Sequence, residues 1–194
     1  MEGTEKLQRD LIALEAMASE MDDYLQSDVL FWPMTRSELP RLTLGGYVMR
    51  QHRLLGLRDL LSMQEQDRLH RAINQYHKAL EEKVVRFEQR AHEELEARLR
   101  QWQSYLDEVK DGASIAYYES AVEPRVMIES LVAQLRVQPY QLEAEIPQKL
   151  ALLDRQLRHV WEPGEFIWPF EWKPTYPRER YWWLYGHPRK KESR

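Results

Sequence analysis

Twelve apolar residues between Leu69 and Val109 recur at steps of three or four with no glycine or proline among them, and few folds can house such a run. They are Leu69, Ile73, Tyr76, Leu80, Val84, Phe87, Ala91, Leu95, Leu99, Trp102, Leu106 and Val109. Their mean spacing, about 3.64 residues, is that of a nearly straight α-helix rather than the 3.5 of a strict heptad. Upstream, Ser62-Met63-Gln64-Glu65 has the spacing of a capping box, in which the serine caps the helix and the glutamate three residues on reaches back. Downstream, Gly112 suits a left-handed stop. The pattern therefore predicts one uninterrupted helix from about Ser62 to Asp111, a rod of roughly 70 Å at 1.5 Å per residue. Glu82/Arg86, Glu94/Arg98 and Glu96/Arg100 add i,i+4 pairs in the favoured order.

A rod of that length needs neighbours. Leu7, Leu11, Leu14, Ala18, Met21 and Leu25 step by 4, 3, 4, 3, 4 and define a first helix with a narrow coiled-coil-like seam. Residues 26–42, with Pro33, Pro40 and Val29-Leu30-Phe31-Trp32, read as an ordered connection packed on the core. Thr43 caps a second helix running to about Leu61, stapled by Leu42 and Tyr47. Pro124 and Pro147 fit the first turns of two further helices, one carrying Ile128, Leu131, Val132 and Leu135, the other Leu150, Leu153, Leu157 and Val160. Residues 113–123 follow neither period.

From Trp161 to Pro188 the character changes: ten of 28 residues are aromatic and five are proline, which rules out a long helix. Phe166, Trp168, Phe170 and Trp172 alternate, and an extended chain would set all four rings on one side. The expected fold is all-α: an elongated antiparallel bundle around one very long central helix. An aromatic, proline-rich C-terminal strap packs on it. Residues 1–161 form the bundle, and 162–194 the strap and a basic tail of the same domain.

For function, the sequence excludes more than it assigns. Cysteine is absent, which removes disulfides, thiolate catalysis and Cys-based metal sites. Met1 to Asp10 lacks a secretory pattern, and no stretch approaches the roughly 18 apolar residues of a membrane span, so a cytoplasmic protein with no membrane association is expected. Phosphate-cradling, nucleophile-elbow and zincin motifs are all missing. Glu88, His92 and Glu96 share a helical face, but no second helix supplies matching ligands, and a solvated, self-pairing face is the better reading. His70 and His77 lie one heptad apart and fit a surface or boundary position, and Asp22, Asp23 and Asp28 lack the spacing of a calcium loop. Ser114 or Ser120 with His159 makes a triad only on paper. No catalytic residue, cofactor or metal is assigned.

Three functional readings follow. The preferred one is a non-enzymatic interaction or scaffolding protein, associating with a protein partner or a second copy through Leu95, Leu99, Trp102 and Leu106 wherever the helix outruns its cover. The second is a ligand-binding protein or enzyme with an aromatic pocket between bundle and strap. That pocket draws on Tyr117, Phe166, Trp168, Phe170 and Trp172, with Trp102 behind. The third is nucleic-acid binding, which requires the five arginines of Arg36–Arg58 to align with the tail from Arg178, whose six Lys/Arg face two Glu in a chain of net charge −4.

Overall fold

The computed structural model describes residues 2–110 and 117–189. Gly112 and Ser114, and the tail beyond Arg189, lie outside the described residues. Seven α-helices are described: α1 (Glu2–Gln26), α2 (Leu44–Gly56), α3 (Met63–Glu81), α4 (Val84–Lys110), α5 (Tyr118–Ala121), α6 (Glu123–Leu135) and α7 (Glu145–His159). A two-stranded antiparallel sheet, β1 (Trp161–Phe166) and β2 (Tyr185–Pro188), closes the C-terminal segment.

The start signals act as the sequence implies. Ser62 Oγ accepts from the Glu65 backbone N–H while the Glu65 carboxylate accepts from the Ser62 N–H, a complete capping box. Thr43 caps α2 by accepting from the Gly46 N–H. Pro124 sits in the first turn of α6, where its missing N–H costs no helical hydrogen bond. Helix α2 ends at Gly56 rather than Leu61, and the chain continues as a short 3₁₀ turn, Arg58–Leu60.

The single rod expected over 62–111 is two helices. Glu82 and Lys83 form a joint without glycine or proline, where the N–H groups of both residues turn back to the Leu80 carbonyl. The joint lies where α1 ends. Lys83 pairs with Asp22, Arg86 donates to the carbonyls of Leu25, Gln26 and Ser27, and Arg90 donates to Ser27. The last turn of α1 holds no basic residue of its own, and two guanidiniums from α4 satisfy its free carbonyls instead. These tertiary contacts outweigh the few tenths of a kcal/mol per residue by which helical propensities differ.

Helix directions are mixed rather than uniformly antiparallel. Gln8 meets Glu65, Glu15 meets Arg68 and Asp22 meets Lys83, so α1 and α3 run parallel. Glu88, His92, Glu96 and Gln103 meet Gln141, Glu143, Lys149 and Gln156 in rising order, so α4 and α7 are parallel too. Helix α6 lies antiparallel to both, its N-terminal end fixed by Arg125 on Asp154.

The seam of α1 is fully buried, and of the twelve periodic residues only Ile73 and Val84 are half-exposed. The connection 26–42 is fastened by Trp32 and Thr35, which both donate to Glu20, and by a Trp32–Leu42 bridge. No described helix is long and apolar enough to cross a membrane.

Candidate functional site

A broad concavity runs along α4 and the 136–144 loop, with a volume of about 960 Å3. It contains Glu88, His92 and Glu96, and the structure shows what these three do. The Glu88 carboxylate accepts the Gln141 N–H at 2.8 Å, Glu96 pairs with Lys149 at 2.6 Å, and His92 Nε2 accepts the Glu143 N–H at 3.1 Å. His92 Nδ1 faces the Glu88 carbonyl at 2.9 Å, so both ring nitrogens are engaged with backbone groups. Glu88 and His92 fasten the α6–α7 connection to α4, and Glu96 fastens α7 through Lys149. Among the described residues no group of three His, Asp or Glu side chains is placed to hold a metal ion. Glu93 and Glu143 add exposed carboxylates to the groove, Arg100 is its one guanidinium, and Leu30 and Leu142 are apolar points on its wall.

The four residues expected to form an association stripe lie inside the chain. Leu95 and Trp102 are 0% exposed, Leu106 2% and Leu99 4%. Helix α4 packs there on α6, α7 and α2, so these four residues offer no exposed stripe for association.

The strap does not keep its four rings on one side. Strand β1 ends at Phe166, and Phe170–Thr175 coil into a 3₁₀ turn that breaks the alternation. Trp168 and Trp172 are buried, at 7% and 5% exposure, whereas Phe170 stands 78% exposed and Phe166 is half-buried. Tyr117, 71% exposed, joins Trp168 and Trp172 in a cleft of about 300 Å3 beside Lys6. Both indole N–H groups there already serve the fold: Trp168 donates to the Glu119 carbonyl at 3.0 Å and Trp172 to the Gly3 carbonyl at 3.1 Å. Trp102 belongs elsewhere, stacked on Tyr105.

Two buried arginines hold the strap. The Arg53 guanidinium lies 3.9 Å over Trp172 and 5.0 Å from Trp168, donates from Nε to the Tyr176 hydroxyl at 3.0 Å and from Nη1 to Asp10 at 2.5 Å. Arg125 lies 3.6 Å over Trp183 and makes a bidentate pair with Asp154, both bonds 2.9 Å. A planar, weakly hydrated cation sandwiched by rings and paired with a carboxylate is a stable way to bury charge. Burial also pushes the Tyr176 phenol upward, and that of Tyr181 up to about 12. His52, between Thr175, Tyr176 and Tyr181, is held below the ordinary histidine value mainly by burial, with Arg180 and Arg53 adding to that.

These clamps escaped sequence reasoning. Asp10 carried a faint signal, since it sits between Leu7 and Leu11 on the apolar side of α1. Glu94 is a second case. Wholly buried, it accepts the Gly45 N–H at 2.9 Å and pairs with Arg98, giving the start of α2 a carboxylate. Of the five arginines in Arg36–Arg58, Arg53 is buried and Arg50 nearly so, which leaves no continuous basic face.

The fold defines an all-α protein with its aromatic C-terminal segment closed onto the helices. No protein family, no curated protein and no solved structure matches the chain.

Proposed function

We propose that the protein is a non-enzymatic interaction module that receives a basic segment of a protein partner in the α4 groove. One observation carries this reading: the concavity is lined by four carboxylates, Glu88, Glu93, Glu96 and Glu143, against the single lining guanidinium of Arg100, and although Glu93 also meets Arg90 and Glu96 meets Lys149, Glu143 and Glu88 make no ion pair among the described residues. Its breadth suits a peptide segment better than a compact ligand, and like-signed side chains in a concave surface concentrate the field there. An enzyme reading gains little from the same residues, because both nitrogens of His92, the groove's one imidazole, face backbone groups. The rival small-ligand reading rests on the Tyr117–Trp168–Trp172 cleft and is weakened by the near-complete burial of its two indoles.

Fluorescence anisotropy with a labelled oligo-arginine peptide tests the proposal. Binding is expected at low ionic strength, falling by more than about tenfold towards 0.5 M salt as screening shortens to a few ångströms. The Glu93→Lys/Glu143→Lys variant, altered at two exposed carboxylates, should weaken it at least as much. Equal binding by that variant, or no binding at low salt, contradicts the reading.

A further inference from the structure

A second concavity, beside α1, has a different chemistry. About 450 Å3 in volume, it lies between α1, the 36–40 connection and α2. Its apolar wall is Ile12, Ala13, Leu39 and Pro40. Three guanidiniums, those of Arg9, Arg36 and Arg50, line the same space. Arg9 is exposed and makes no ion pair among the described residues. Arg36 leans on Glu38 at 2.8 Å with both side chains more than half exposed. Arg50 Nε lies 3.1 Å from Asp10 Oδ1 yet is buried without an aligned hydrogen-bond acceptor.

The local charge balance leaves a surplus of cation. Asp10 is shared between Arg50 and the buried Arg53, so its single negative charge already faces two positive ones. Among the lining residues Arg9, Arg36 and Arg50 against Asp10 and Glu38 leave a net of +1, and Arg53 behind Asp10 raises it to +2, in a protein whose total is −4. A guanidinium prefers a planar, bidentate oxyanion, and an orphaned buried N–H gains most from an acceptor.

We infer that this cavity is a binding site for a small amphipathic anion: a carboxylate or phosphate head on an apolar body. The head engages Arg9, Arg36 and Arg50, and the body lies against Ile12, Ala13, Leu39 and Pro40. The volume lies at the small end of ligand-sized cavities, which favours a short alkyl or aryl chain. Arg36 exchanges Glu38 for the ligand, so the glutamate acts as an internal competitor. The site is separate from the α4 groove and stands or falls independently of it.

Titration calorimetry on the full chain tests the inference, with octanoate below its micellar concentration and octyl phosphate as probes, and octylamine, acetate and inorganic phosphate as controls. Saturable binding of an octyl anion is expected, with octylamine inert and the headgroups alone at least about tenfold weaker. Whichever of octanoate and octyl phosphate binds tighter identifies the head. The Arg9→Gln/Arg36→Gln variant, altered only at exposed side chains, should weaken binding by about tenfold or more. Glu38→Gln should strengthen it, an effect that a purely structural glutamate does not produce. Absence of saturable binding by both octyl anions, equal binding of octylamine, or an unchanged affinity in the double arginine variant each overturns the inference.

Discussion

At the scale of single residues, buried charges decide where the C-terminal segment sits. Asp10 is the one carboxylate shared by Arg50 and Arg53, and Arg53 in turn orders Trp168, Trp172 and Tyr176 around its plane. Asp10→Ala leaves two buried guanidiniums without their counter-ion, and losing one partner of a buried pair costs about 3–5 kcal/mol. Urea denaturation should show a loss in that range. A change below about 1 kcal/mol would mean that water compensates Arg53 freely.

His52 supplies a pH dependence whose sign follows from its environment. Held below the ordinary value near 6.5, its folded form binds a proton less readily than the unfolded chain does. Stability from this group is therefore fully present above the unfolded value and is lost as the pH falls from there through the lowered folded value. His52→Gln should flatten the part of the stability curve below neutrality. Thermal melts of both proteins across that range measure it, and parallel curves would assign the acid sensitivity to other groups. Gly186 is constrained differently. At φ +136°, with the Glu162 carbonyl 2.2 Å from where a Cβ would stand, it has no room for alanine. The Gly186→Ala substitution should open the β1–β2 pairing.

At the scale of elements, the strap is part of the core rather than a cover laid over it. Trp172→Ala removes a buried indole and should cost about 3–5 kcal/mol, whereas Phe170→Ala, two residues away and largely exposed, should fall within about 0.5 kcal/mol. Paired chemical denaturation curves separate them, and equal losses would mean that the 3₁₀ turn is not seated as described. Truncation after Glu162 should lower the melting temperature for the same reason.

The parts legible in advance were those governed by local rules. The capping box at Ser62, the cap at Thr43, the prolines of α6 and α7 and the apolar seam of α1 are all written within a turn or two of where they act. What could not be read depends on partners distant in sequence. The joint at Glu82 and Lys83 keeps the apolar period intact, since Leu80 and Val84 stand four apart, and only the end of α1 reveals it. The strap alternates in sequence as a strand would, yet coils after Phe166, and Arg53, more than a hundred residues earlier, holds the result. Glu88, His92 and Glu96 were legible as a shared face, but the fastening of the 136–144 loop by Glu88 and His92 was not, because both bind backbone N–H groups that sequence does not distinguish.

At the scale of the whole molecule, the described residues bury the long apolar stripe of α4 and both indoles of the strap. The stripe Leu95, Leu99, Trp102 and Leu106 is buried on α4, which packs against α6, α7 and α2, and Trp168 and Trp172 are buried against α1 and α2. The surface proposed for recognition is accordingly a polar concavity, the carboxylate-lined groove between α4 and the 136–144 loop. Hydrogen–deuterium exchange of the full chain, with and without oligo-arginine at low ionic strength, tests this most directly. Added protection is expected over residues 86–100 and 136–146, with the segment 161–189 unchanged. Protection concentrated in 161–189, or none along the groove while the peptide is bound, would contradict the account.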